Sequence, residues 1–163
     1  EQNAIHDQLT GCKNRTALAW AYNNDFDASQ SVGIVMCDLN GLKRMNDSKG
    51  HLAGDQYICD AAKILCDCFG SENVYRIGGD EFAVFGYDYS EEKAKQYTEN
   101  FLQYLKDFNA DSNLPYCVNA SFGYTISDPS LSISREQYMK VSDDLLYQNK
   151  RKRKEKYGNL SQR

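Results

Sequence analysis

The chemistry this sequence can do is carried by acids placed where strands give way to turns. Arg76–Phe85 reads RIGGDEFAVF, with Gly78, Gly79, Asp80 and Glu81 interrupting residues that favour a sheet. Upstream, the apolar run Val32–Asp38 (VGIVMCD) ends in an acid. If the two strands are neighbours, Asp38 and Asp80 converge at a sheet edge, and two such carboxylates need a counter-charge. A hard cation with oxygen ligands, magnesium first of all, supplies it. The glycines suit a phosphate approaching the backbone and a tight turn that needs positive φ. Taken alone, the same four residues read equally well as a plain hairpin turn with solvated acids. They are not alone. Asp38 opens DLNGLKRMNDSKGHLAGD, which interleaves Lys43, Asn46 and Asp55 with Gly41, Gly50 and Gly54. That is a ligand loop's composition at the carboxyl end of a strand.

Positioning these groups takes a regular set of elements. Thr10 to about Asn24 reads as a helix entered through a turn at Leu9–Gly11. Val32–Asp38 reads as a buried strand. His51–Phe69 carries Tyr57, Ile58, Ala61, Ile64, Leu65 and Cys68 at helical spacing. Val74–Ile77 and Phe82–Tyr87 form a hairpin about the glycines. Ser90 caps a helix running to about Phe108, Val118–Ile126 is a strand, and Arg135 to about Lys156 is a last helix. Helices alternating with an antiparallel hairpin predict an α+β sheet with one face covered. Asn109–Pro115 and Ser127–Ser134 read as surface loops.

Composition bounds the function. The 163 residues suit one domain, with 41% hydrophobic and 26% charged residues, as in an ordinary globular protein. No apolar run approaches the roughly 20 residues of a membrane helix. Six cysteines form no CxxC pair and read as small hydrophobes in a reducing compartment. The net charge of −4 is uneven: Lys150–Lys156 (KRKRKEK) holds six bases and one acid, leaving −9 on the rest. An acidic body argues against nucleic acid as a partner, while one basic segment can still hold a small polyphosphate.

From about His6 to Gly158 the chain resembles the GGDEF domains of bacterial diguanylate cyclases. The matching pieces are HDQLTGCKNR, DLNGLKRMNDSKGHLAGD, RIGGDEFAVF, NASFGYT and SDDLLYQNK, five motifs in order at proper spacing. The resemblance implies a palm-like, mainly antiparallel central sheet flanked by helices, of nucleotidyl cyclase type. It implies condensation of two GTP into cyclic di-GMP, a homodimer that brings two nucleotides together, and two magnesium ions per site, with manganese as a substitute. By the same resemblance Asp38, the Leu39 carbonyl and Asp80 ligate metal. Asp80 also assists deprotonation of the attacking 3′-hydroxyl, and Glu81 supports the metal shell. Lys43, Lys150 and Lys154 match positions that hold phosphates, and Asn46 and Asp55 match guanine readers. A solvated basic tail is the rival reading of Lys150 and Lys154, and helix caps that of Asn46 and Asp55. Asp7 and Arg15 are expected to latch the entry turn to the first helix. His51 is expected to cap or pack, and Trp20 and Tyr22 to pack.

Some positions depart from the family pattern. Asn40 stands where many members carry an acid, which predicts weaker binding of a second metal. Arg153 and Glu155 replace a Gly and an Asn, and Lys154 stands where Arg is usual, so phosphate geometry is less bidentate. Phe69 and Glu72 occupy the RxxD product-inhibition positions, so no product site is expected there. Such domains usually sit on the cytoplasmic side of soluble or membrane-anchored proteins, behind a sensor and a signalling helix. Residues 1–163 are therefore expected to be a single catalytic domain cut from a longer protein. A domain that only binds GTP or cyclic di-GMP and passes a signal on is the alternative function.

Overall fold

The computed structural model of the chain describes residues 4–25, 27, 29–111, 113–131, 134, 136–137, 140–141, 143–145, 147–148 and 151. In chain order the elements are β1 (Lys13–Asn14), α1 (Arg15–Asn24), β2 (Val32–Leu39), α2 (Leu42–Lys49), α3 (His51–Phe69), β3 (Val74–Arg76), β4 (Glu81–Tyr87), α4 (Glu91–Asp111) and β5 (Ala120–Ile126). Among the described residues one five-stranded sheet results, in the order β1-β3-β4-β2-β5. All its pairings are antiparallel except that of β1 with β3. This is the α+β, mainly antiparallel sheet flanked by helices that the sequence predicts.

β2 lies between β4 and β5, and every one of its residues is buried. Its alternating side chains therefore serve two cores. Val35, Cys37 and Leu39 pack with Ile58, Ile64 and Leu65 of α3 and with Phe101 and Leu105 of α4. Val32, Ile34 and Met36 pack with Ala17, Leu18, Ala21 and Tyr22 of α1. The expectation of one covered face is thus corrected. The second face is closed by the small-residue side of α1, a side too short and alanine-rich to stand out as an apolar stripe.

Other boundaries also shift. The first helix starts at Arg15, because Gly11 at φ 73° turns the chain and Lys13–Asn14 pairs with β3. Asn14 then caps α1 by accepting from the Ala17 N–H at 3.0 Å. α3 runs over His51–Phe69 as read from the sequence. Ser90 accepts from the Lys93 N–H at 3.1 Å and caps α4 as expected. That helix extends through Asp111, so Asn109 is helical rather than loop. α2 forms in a stretch whose composition reads as a ligand loop. Its apolar side is only half-buried Leu42 and Met45 packed on the core, too short to announce a helix. Within the predicted last helix, residues 136–137, 140–141, 143–145, 147–148 and 151 are helical. Among the described residues, no helix is long and apolar enough to cross a membrane.

Candidate active site

The register of β2 against β4 builds the acidic corner. Asp38 lies opposite Glu81 in the ladder, and just beyond that pair the Leu39 N–H donates to the Asp80 carbonyl at 2.8 Å. Three carboxylate oxygens, one each from Asp38, Asp80 and Glu81, thereby come within 4.8 Å of one another. Asp38 is fully buried, while Asp80 and Glu81 are half-buried. Crowding three anionic groups at the rim of a core is unfavourable without a cation, and carboxylate oxygens are the donors that magnesium and manganese take. The donor set therefore fits the expected metal.

The turn between β3 and β4 is held from behind. The Ile77 and Gly78 N–H groups both donate to the Glu81 carbonyl, at 2.9 and 3.3 Å. Arg76 donates from Nε to the Gly78 carbonyl and from Nη2 to the Gly79 carbonyl, at 3.2 and 3.0 Å. Its Nη1 meets both carboxylate oxygens of Asp7, at 3.1 and 3.0 Å. Arg15 donates to the Ile77 carbonyl at 2.9 Å. The expected latch holds in part: Asp7 fastens the entry turn by accepting from the Thr10 N–H and hydroxyl at 2.9 and 2.7 Å, and both residues also clamp the glycine turn, Asp7 through Arg76 and Arg15 directly. A correction concerns the glycines. Among the described residues, the positive-φ glycines are Gly11, Gly41, Gly50 and Gly70, not Gly78 or Gly79. At Gly78 the lack of a side chain matters for space instead. A Cβ on Gly78 would press on Glu81 Oε2 at 3.1 Å, whereas the same position on Gly79 faces open space.

Asp7 makes the turn's stability depend on pH. Burial alone would raise its pKa, but hydrogen bonds from Thr10 and Arg76 outweigh that and hold it below the ordinary 3.8. A carboxyl lowered in the folded state stabilises it above the unfolded pKa and loses that contribution as pH falls through the lower folded value. Asp7→Asn should therefore cost about 1 kcal/mol near neutrality. The cost should shrink below about pH 4, close to the unfolded value. Thermal melts of both proteins between pH 2.5 and 7 measure this difference.

The α2–α3 corner places the two expected base readers together. Asn46 lies within α2 and Asp55 within α3, and the residues capping those helices are Gly41 and Gly50. Neither Asn46 nor Asp55 is therefore a helix cap. A Cβ built on Gly54 would overlap the Asn46 amide oxygen, so Asn46 rests directly on the position preceding Asp55. Gly54→Ala should push Asn46 aside. The expected result is an overpacking cost of about 1–3 kcal/mol, read as a lower Tm in thermal melts.

Lys43 is exposed on α2, and His51 is exposed at the start of α3. Lys150 and Lys154, with Arg153 and Glu155, lie outside the described residues. Phe69 is buried, 5.6 Å from the Tyr97 ring and 6.0 Å from that of Phe101, and Glu72 is exposed. The position where an arginine would anchor product instead completes the core. Tyr22 packs edge-on against Phe85, but Trp20 is 58% exposed, against the expectation that it packs. Asn40 is drawn into a polar cluster. Its amide donates to Asn119 Oδ1 at 3.1 Å, and its Oδ1 accepts from the Ser121 hydroxyl at 3.2 Å. Tyr57 and Asn119, which complete that cluster, drew no functional reading in the sequence. A tyrosine at helical spacing reads as core, and nothing local marks what its hydroxyl meets.

The family of the diguanylate cyclase GGDEF domain matches residues 4–156. The chain belongs to the GGDEF family. Among relatives of this GGDEF domain, diguanylate cyclase DgcN of Escherichia coli is 32% identical over 161 residues, covering 95% of this chain and 39% of DgcN. Cyclic di-GMP phosphodiesterase PdeR of the same organism is 29% identical over 133 residues, covering 80% of this chain and 19% of PdeR. The chain thus spans well under half of either protein. A solved structure of the coiled coil and GGDEF domain of DgcB from Caulobacter crescentus, in complex with c-di-GMP, superposes with a TM-score of 0.75 at 22% identity. That match covers 92% of this chain and 82% of the other.

Proposed function

We propose that this GGDEF domain is a diguanylate cyclase that joins two GTP into cyclic di-GMP. The observation that carries the reading is the meeting of Asp38, Asp80 and Glu81 at one strand end. Asp38, the Leu39 carbonyl and Asp80 would hold magnesium, with Glu81 facing Asp38 across the ladder as a further oxygen donor or support. Magnesium bound there neutralises phosphate charge and makes a ribose hydroxyl easier to ionise. Lys43, with Lys150 and Lys154, orients the β- and γ-phosphates. Asn46 and Asp55 bind the guanine edge. The Asp80 carboxylate accepts the proton of the attacking 3′-hydroxyl. The new bond joins O3′ to the α-phosphorus of the facing nucleotide, and the bond from that phosphorus to the β-phosphate bridge breaks, releasing pyrophosphate. Two such steps close the ring.

Each chain offers one corner, so two copies must face each other, and the rate should rise more than linearly with protein concentration. The test is incubation with GTP and magnesium over a concentration series, with the product identified by mass. Cyclic di-GMP formed with that concentration dependence supports the reading. The likeness to PdeR favours a second reading, a domain that binds GTP without turnover inside a larger protein. Saturable GTP binding with no dinucleotide product would select it.

A further inference from the structure

We propose that Tyr57 is a positioning residue for the metal corner, acting through the backbone that follows Asp38 and Leu39. This rests on the cyclase reading and names a residue that the reading leaves out. Tyr57 is 2% exposed on α3, and its ring packs edge-on against Tyr116 at 5.5 Å, so the hydroxyl has a fixed direction. That hydroxyl donates to the Asn40 carbonyl at 2.7 Å and also reaches the Asn119 carbonyl at 3.1 Å. It accepts from the Asn119 N–H at 3.0 Å. The Asn40 N–H in turn donates to the Asn119 carbonyl at 2.8 Å. One hydroxyl from the helix layer thus pins the chain leaving β2 to the chain entering β5.

The position of that pin matters. Beyond Asn40, Gly41 at φ 80° turns the chain into α2, which has no side-chain cap and meets the core through half-buried Leu42 and Met45. Leu39 is held on its strand side by its pairing with Ala120 and by its N–H to the Asp80 carbonyl, and the Tyr57–Asn119 contacts brace the peptide that follows its carbonyl. Side chains that orient ligands without touching metal commonly change metal affinity by 10- to 100-fold when removed. The cluster also includes the Asn40 side chain, which Asn119 and Ser121 engage, so Asn40 helps brace the loop.

Tyr57→Phe keeps the ring and removes the hydroxyl. Manganese binding, followed by the magnetic resonance signal of the free ion in the presence of a non-hydrolysable GTP analogue, should weaken about tenfold. Amide hydrogen exchange without metal should speed up at residues 39–41 and 119–120 and stay unchanged in β3. Ile64→Val, also buried on α3, serves as the control for simple destabilisation, with manganese affinity unchanged at a comparable loss of Tm. Tyr57→Phe with wild-type manganese affinity, or a loss matched by Ile64→Val, overturns the proposal and leaves the cyclase reading standing. A wild-type protein that binds no manganese with the analogue overturns both.

Discussion

Asp38→Asn is expected to lower cyclic di-GMP formation by about 10³-fold or more while raising the melting temperature in metal-free buffer. The two effects share one cause. Asp38 is fully buried, and its oxygens share a corner with Asp80 and Glu81. Replacing one of three crowded carboxylates with a neutral side chain of the same shape relieves repulsion and the penalty of a buried charge. That relief should stabilise the fold by roughly 1–2 kcal/mol, or about 2–8 °C for a domain of this size. The same change removes a charged oxygen from the proposed metal site, and a loss of about 4 kcal/mol in transition-state stabilisation is about 10³ in rate. A residue conserving only the fold would lose stability when altered, so opposite movement of activity and Tm is the signature. Added magnesium should stabilise the wild type and leave the variant's Tm almost unmoved.

Asp55→Ser should collapse base choice. Guanine presents N1–H and an exocyclic amine that one carboxylate accepts together, whereas adenine presents a lone pair at N1. A site built on that contrast discriminates by about 10⁴, because the wrong base leaves buried polar groups unpartnered. The variant should lose most of this, with kcat/KM for GTP over ATP falling by about 10²-fold or more. Asp55 is exposed near the start of α3, so the melting temperature should barely change, as surface substitutions rarely exceed about 0.5 kcal/mol. Parallel assays with GTP and ATP measure the ratio. Unchanged discrimination would remove Asp55 from the base site.

The convergence of Asp38 with Asp80 was legible because each part has a strong local signal. An apolar run ending in an acid marks a central strand, and two glycines between strand-like residues mark a hairpin beside it. The bounds of α3 were legible for a similar reason, since Tyr57, Ile58, Ala61, Ile64 and Leu65 form one continuous buried side. α2 escaped because two half-buried apolar residues, Leu42 and Met45, are too few to set an apolar period. The Asp7–Arg76 pairing escaped because it spans most of the first half of the chain, and Arg15 and Arg76 look alike as partners until the sheet brings Arg76 to the turn. The glycine turn misled on φ alone. Arg76 and the Glu81 carbonyl shape it, so small size against Glu81 is what Gly78 contributes. The Tyr57 clamp joins α3 to two strand ends and has no local signature.

The most direct measurement is the anomalous scattering of manganese in crystals grown with a non-hydrolysable GTP analogue. The account predicts a peak bounded by the carboxylates of Asp38 and Asp80 and the Leu39 carbonyl, with the analogue's phosphates against it and its base at Asn46 and Asp55. An analogue bound elsewhere, with no manganese at that corner, would contradict it.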